Sequence, residues 1–345
     1  MLPPQKQKPA AEADAVQRLS QQLESLAGPD WQRLSYGVAV SGGPDSMALL
    51  WLMVSLLPGQ VRAATVDHGL REGSAEEARM VAGFCERDHI PHAILCPPVP
   101  IRGSFQAAAR AERYRLLEQW RAAHAIDFVV TAHHADDQLE TLIMRINRSS
   151  GVGGLAAIRA RNGAILRPLL GWRHADLVAL ALDADLPFVD DPSNADVRFD
   201  RARLRKDLQS QHFLDAEAAA RSAQWLADAD AALDWMVDEL IGHWPDAGDP
   251  AAIRDAGYPA EIFRRILVRR LCAFDPQLTL RGVTLDGVIA AMREGRAGDG
   301  RHAADRPDRR GRHRFLAHFG GAAAKSAPGA LICSLSFNTE GLSWP

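Results

Sequence analysis

Over the first two hundred residues, short apolar runs alternate with stretches of helical periodicity. YGVAV (36–40), VRAATV (61–66), HAILC (92–96) and DFVVTA (127–132) read as buried strands. MALLWLMVSLL (47–57), a segment around Ala75–Arg87, SFQAAARAERYRLLEQWRAAH (104–124) and ADDQLETLIMRIN (135–147) read as helices. A further helix, roughly Ala15–Leu26, follows a polar, Pro/Ala-rich arm at 1–16. Strands alternating with helices over short connections predict an α/β fold, a parallel doubly wound sheet with both faces covered. Ligands of such sheets bind at the C-terminal ends of the strands. Three of these ends carry polar clusters, SGGPDS, DHGLR and HHADD.

After Leu214 the pattern changes. Long amphipathic stretches with few strand formers predict a smaller helical domain over 215–295, behind a first domain at 17–214. From Arg296 the chain is rich in Arg, Asp and Gly without apolar period, so 296–345 is expected to be an irregular tail, with ALICSLSF as its one short strand.

The chain has 345 residues and a formal net charge of −3, so any nucleic-acid contact must come from local basic patches. Its four cysteines form no CxxC pair, which excludes a zinc ribbon, an iron–sulfur site and a thioredoxin-type motif by spacing, and suits a reducing compartment. No signal-peptide core and no membrane-spanning run are evident, so a soluble cytoplasmic protein with no membrane contact is expected.

A strand, then Ser41-Gly42-Gly43-Pro44-Asp45-Ser46, then a helix has the geometry of a phosphate cradle. Glycines admit an anion to the backbone, and the helix N-terminus adds free N–H groups and a positive dipole end. Ser41 and Ser46 offer hydroxyl donors. Asp45 suits a phosphate site only with a divalent cation between them, Mg²⁺ being the usual one. The lysine of a Walker loop is missing, and the spacing is not GxGxxG. The plain alternative is an ordinary βα turn. In TAHHADDQLET, residues His133, Asp136, Asp137 and Glu140 share one face of a first helical turn. Helix capping explains one aspartate; a cluster that holds an amine or a metal explains the set.

SGGPDS resembles the PP-loop of the ATP pyrophosphatase superfamily. VDHGLR (66–71), ARAERYRLL (109–117), TAHHADDQLET (131–141), RSSGVGGLAAI (148–158), LRPLL (166–170) and DDPSNADVRFDRARLR (190–205) together resemble the tRNA(Ile)-lysidine synthetases, in order over about 30–215. The resemblance implies a five-stranded PP-loop sheet of adenine nucleotide α hydrolase type. It implies ATP and Mg²⁺ as cofactors, and free L-lysine and an isoleucine tRNA with a CAU anticodon as partners; a homodimer is left open. It places ATP on Ser41–Ser46, with Asp67 and His68 flanking adenine and ribose, although a turn sealed by Asp and Gly explains Asp67 equally well. Arg110 and Arg113 would neutralise the α-phosphate, whereas Arg71 reads equally as a surface charge. Asp136, Asp137 and Glu140 would hold the lysine, with His133 or a neighbouring carboxylate taking its proton. The Gly-rich segment between Arg148 and Arg161 reads as a lid or as a plain loop. Apart from the resemblance, the basic run Arg198, Arg201, Arg203, Arg205 and Lys206 reads as a solvated face or as a hold on tRNA phosphates, and a second patch, RRILVRR (264–270), reads either as a tRNA surface or as simple solvation. Ser149 stands where the family has glycine, Asp190-Asp191 where it has Glu-Asp, and Ala202 where it has asparagine. The alternatives are another PP-loop enzyme, such as a tRNA 2-thiocytidine transferase, or an ATP-binding module without catalysis. The first lacks paired cysteines here; the intact Asp45, Asp137 and Glu140 oppose the second.

Overall fold

The computed structural model describes residues 10–69, 73–98, 105–189, 200–209, 213–244, 252–255, 257–274, 285–287, 289–290, 318–320 and 331–336. Arg71, Asp190-Asp191 and Arg198 lie outside the described residues. The chain divides into two compact units, Met1–Asp228 and Ala229–Pro345.

The first unit is built on β1 (Tyr36–Ala39), β2 (Val61–Val66), β3 (His92–Leu95), β4 (Phe128–Val130), β5 (Arg161–Asn162) and β6 (Ile165–Leu166). Their order is β3-β2-β1-β4-β6-β5. Five strands run parallel, as expected; β5 is an added antiparallel edge on β6. Every residue of β1 is buried, which a strand covered on both faces requires. Tyr36, Val38 and Val40 enter the larger core, with α1 (Ala10–Ala27), α2 (Pro44–Leu56) and α3 (Ser74–Arg87). Ala39 faces the other way, onto Leu117 and Trp120 of α4 (Phe105–Ala123). Gly37 lies on that second face, where a Cβ would overlap the Trp120 ring.

Three further helices close the site end of the sheet: α5 (Ala135–Ile146), the short α6 (Val152–Leu155) and α7 (His174–Asp183). α8 (Asp200–Gln209) and the start of α9 (Ala216–Gly242) follow. α1 starts at Ala10, before the expected boundary at 16. Its buried Ala15, Leu19 and Leu23 repeat at i, i+4, i+8 and draw the segment onto the core. Each of the two leucines contributes about 1.5–3 kcal/mol by burial.

The chain runs from β1 outward to β3 and returns to β4 on the other side of β1. The switch point between β1 and β4 is therefore where a ligand crevice opens, outside the carboxyl ends of both strands.

In the second unit, the expected all-helical segment contains a strand, β7 (Ala252–Asp255), ahead of α10 (Ala260–Phe274). The tail supplies β8 (His318–Gly320) as well as the anticipated β9 (Leu331–Ser336), and the three form an antiparallel sheet in the order β7-β9-β8. Four- and three-residue strands are too short to show a period in sequence. Ile253 packs with Phe263, Leu267, Leu285 and Ile289. The RRILVRR patch is not a free basic surface. Arg264 donates to Glu261 and Asp286, Arg265 to Asp230, Asp234 and Glu261, and Arg269 to Asp238. Among the described residues, no helix is long and apolar enough to cross a membrane.

Candidate active site

The loop after β1 is drawn tight by its own hydroxyls. Ser46 Oγ accepts from Ser41 N (3.1 Å), donates to the Gly43 carbonyl (3.0 Å) and lies 3.2 Å from Ser41 Oγ. Gly42 holds φ +89°, a left-handed conformation that favours glycine, and its carbonyl accepts from Val189 N. Gly43 caps α2, and Pro44 fixes the first helical position, where its missing N–H costs nothing. Asp45 then stands in the first turn of α2, at the positive end of the helix dipole.

Three helix N-termini meet here. Ala135 N of α5 donates to the Trp172 carbonyl (2.8 Å), just before α7. Asp136 Oδ2 accepts from His174 N, the first residue of α7 (2.8 Å). His174 Nδ1 and Asp45 Oδ1 are hydrogen-bonded at 2.8 Å. His134, the N-cap of α5, lies beneath: its Nε2 is 3.7 Å from Asp45 Oδ2 and 3.5 Å from Asp137 Oδ2, and its Nδ1 is 3.5 Å from Asp136 Oδ2. The two imidazoles stack with centroids 5.2 Å apart. Burial opposes charge on His134, but Asp136, Asp137 and Asp45 outweigh it and raise its pKa. The hydrogen bond to Asp45 raises that of His174. Burial opposes ionisation of Asp136, yet His134 and the His174 N–H hold it down at about 2.

Deeper on α5, Asp137 and Glu140 are engaged by α8. Arg201 Nε donates to Glu140 (2.7 Å) and its Nη2 to Asp137 (2.9 Å). Arg205 donates through Nε to Glu140 (2.5 Å) and through Nη2 to both carboxylates (3.3 and 3.2 Å). Glu140 is 2% exposed. The acidic cluster and part of the basic run, read separately in the sequence, thus form one mixed-charge pocket.

On the other side stands a group of arginines. Arg110 and Arg167 both donate to the Tyr114 hydroxyl (3.4 and 3.3 Å), and the Arg110 guanidinium lies over the Tyr114 ring. Arg167 also donates to the Arg159 carbonyl, and its buried Nε has no hydrogen-bond partner. Among the described residues, no carboxylate pairs with Arg110, Arg113 or Arg167. Burial lowers the pKa of Arg113; Tyr114 opposes the shift, and Arg110 and Arg167 add to it. His133 sits against this group, its Nδ1 2.9 Å from Thr131 Oγ1. Burial first, then Arg167, Arg113 and Arg110, against an opposing Asp137, push it down to about 3. At the end of β2, Asp67 accepts from Gly69 N and Ser74 Oγ and so seals its own turn. His68 is lowered by burial and by Arg113, which places it on the arginine side.

A family model for the PP-loop domain matches residues 14–212. The tRNA(Ile)-lysidine synthase of Novosphingobium aromaticivorans is 46% identical over 265 residues, covering 72% of this chain and 80% of the relative. That of Zymomonas mobilis is 38% identical over 271 residues, covering 75% and 82%. The chain belongs to the tRNA(Ile)-lysidine synthase family. The U34-tRNA thiolase NcsA from Methanococcus maripaludis, 16% identical with a TM-score of 0.51 over 63% of this chain and 80% of that one, shares the fold.

Sequence reasoning quoted the motifs of this synthase family but missed four residues inside or beside them. His134 lay within TAHHADDQLET without a role; its burial and its three carboxylates emerge from the fold. Tyr114 and Arg167 lay within quoted motifs, ARAERYRLL and LRPLL, without a role. His174 had no signal, because it reaches Asp45 across 129 residues of chain. The Gly-rich segment is pinned in its second half, where Gln138 exchanges two hydrogen bonds with Ile158 (both 2.8 Å).

Proposed function

We propose that this protein ligates L-lysine to C2 of the wobble cytidine of an isoleucine tRNA with a CAU anticodon, turning ATP into AMP and pyrophosphate. The observation that carries this reading is the position of His134 between Asp45 of the PP-loop and Asp137 of the mixed-charge pocket, which makes the two a single site. ATP takes the Ser41–Ser46 loop through its β- and γ-phosphates, with its α-phosphate toward Arg113, Arg110 and Arg167. A group of guanidiniums without carboxylates is what a triphosphate complements. Asp67 and His68 border the nucleoside. Asp45, one carboxylate at a helix N-terminus, fits Mg²⁺, which is held by one or two carboxylates plus substrate phosphates and draws charge from the phosphoryl oxygens.

The cytidine C2 oxygen attacks the α-phosphorus and pyrophosphate leaves; the lysine ε-amine then attacks C2 and AMP leaves. Free lysine carries both charges near its backbone. Asp137 and Glu140 suit an ammonium group, and Arg201 and Arg205 a carboxylate, so the lysine exchanges partners with the resting salt bridges. Asp136 supports the pocket through His134. The ε-ammonium, with a pKa near ~10.4, must lose a proton before it attacks. His133 is a weak base at about 3. ATP bound among the arginines cancels part of what holds it there, so His133 gains basicity only once the first substrate is in place. The remaining basic residues of α8 face tRNA phosphates, and the enzyme works in the cytoplasm.

The test is ATP–pyrophosphate exchange and labelled-lysine incorporation into a CAU-anticodon tRNA(Ile) transcript, with Asp45→Ala alongside. Lysine fixed to RNA, dependent on ATP and Asp45, is expected. ATP binding without incorporation overturns the reading.

A further inference from the structure

We propose that Asp45, His134 and His174 form a binding site for one divalent ion of the zinc class (Zn²⁺, Co²⁺ or Ni²⁺), and that this ion competes with ATP for Asp45. One ligand atom from each residue lies within 4.8 Å of the other two. His174 Nδ1 is 2.8 Å from Asp45 Oδ1, and His134 Nε2 is 3.7 Å from Asp45 Oδ2. Donors bound at ~2.0–2.1 Å around zinc lie roughly 3.0–3.5 Å from one another, so the widest separation, within 4.8 Å, closes by at most about 1.3–1.8 Å.

The donors sit on rigid supports: Asp45 in the first turn of α2, His134 as the cap of α5, and His174 as the first residue of α7. The His134 side chain is 7% exposed, with its Nε2 on the side of Asp45 and its Nδ1 on the side of Asp136 Oδ2 at 3.5 Å. The same oxygen accepts from His174 N. A carboxylate behind the far nitrogen of a ligating imidazole fixes its tautomer and strengthens it as a donor. Here Asp136 would orient the His134 ring, leaving its Nε2 turned toward Asp45, while holding His174 through its backbone N–H. Two imidazoles and one carboxylate favour Zn²⁺, Co²⁺ and Ni²⁺ over Mg²⁺, which takes oxygen donors. The Asp45 and His174 side chains are 22% and 49% exposed, so an ion has a way in and water has the fourth position.

The ion and ATP would exclude one another because both need the Asp45 carboxylate. The exclusion, but not the ion's own binding, rests on the function proposed above.

The test is titration of the untagged full chain with Co²⁺ in the absence of ATP, followed by visible absorption and equilibrium dialysis. One equivalent is expected to bind with the visible bands of a low-coordinate cobalt site, to be displaced by Zn²⁺, and to persist in millimolar Mg²⁺. His174→Ala and His174→Asn should each weaken binding at least tenfold, and Asp136→Asn by 10–100-fold. His124→Ala, just after α4 and with its Nδ1 on the Trp120 carbonyl, should change nothing, and thermal melts of each variant establish that it is folded. Substoichiometric binding, or binding equally tight in both His174 variants, overturns the site. Co²⁺ binding that is unaffected by added ATP overturns the competition alone. No arm uses tRNA or lysine, so failure of the lysidine reading leaves the result interpretable.

Discussion

Glu140→Gln removes the centre of the mixed-charge pocket, and the structure gives a scale for its cost. The Glu140 side chain is 3% exposed and receives both guanidiniums, Arg201 at 2.7 Å and Arg205 at 2.5 Å. Breaking a fully buried pair costs about 3–5 kcal/mol, because a charge is stranded without solvent. Here the arginine side chains are 36% and 32% exposed, and Asp137 stays in place to accept from both. Water and Asp137 therefore recover about half, and the expected loss is roughly 1.5–2.5 kcal/mol. For a unit of this size each 1 kcal/mol lowers Tm by about 2–4 °C, so the melt should drop by roughly 3–10 °C. The interaction is isolated by a double-mutant cycle in thermal or urea denaturation with Arg205→Gln. The two changes should couple by about 1–2 kcal/mol, since each removes the same contact. Costs that add within ~0.5 kcal/mol would refute the contact as an energetic unit. A normal lysine KM in a folded Glu140→Gln protein would refute its place in the amine pocket.

In the second unit, Arg265→Gln takes away the cation facing the 12%-exposed Asp230 side chain and should cost about 2–4 kcal/mol, while leaving the salt dependence of tRNA binding unchanged, because that charge is already neutralised within the protein. A flattened salt slope measured by filter binding would contradict this. Gly37→Ala drives a Cβ into the Trp120 ring and should destabilise the first unit by about 1–3 kcal/mol in chemical denaturation. His133 stays neutral in the folded chain down to about pH 3, whereas the unfolded chain takes the proton near the ordinary 6.5. Its contribution to stability is therefore lost as pH falls from 6.5 toward 3, and His133→Gln should flatten that part of the stability–pH curve.

The sheet was legible because its strands are buried on both faces and read as apolar runs; Tyr36–Ala39 has no exposed residue to break the signal. The loop was legible for the same reason in reverse, since glycine, proline and serine follow an apolar strand. What stayed hidden was pairing over long separations. Nothing in the local sequence says that Arg201 reaches Glu140 from 61 residues away, or that Asp230, Asp234 and Asp238 on α9 cancel the arginines of α10. A basic run and an acidic run look alike whether solvated or joined. β7 and β8 were missed because strands of three or four residues acquire meaning only from their partner β9.

The consecutive residues His133 and His134 show how one strand end can serve two chemistries. Successive residues of an extended chain point to opposite sides. His133 turns to the side of Arg110, Arg113 and Arg167, where burial and those charges lower its pKa. His134 turns to Asp45, Asp136 and Asp137, which together outweigh burial and raise it. The two residues shift in opposite directions, although Asp137 also acts on His133 against the arginines, so the cationic and anionic sides of the crevice meet at this pair. The arginine side suits the α-phosphate and the carboxylate side an ammonium group, while Asp45 suits phosphate only through a divalent cation. Binding ATP alone should therefore raise the His133 pKa, seen in its imidazole NMR signals, while moving His134 less. An equal rise in both would mean that the arginine and carboxylate groups act as one undivided field.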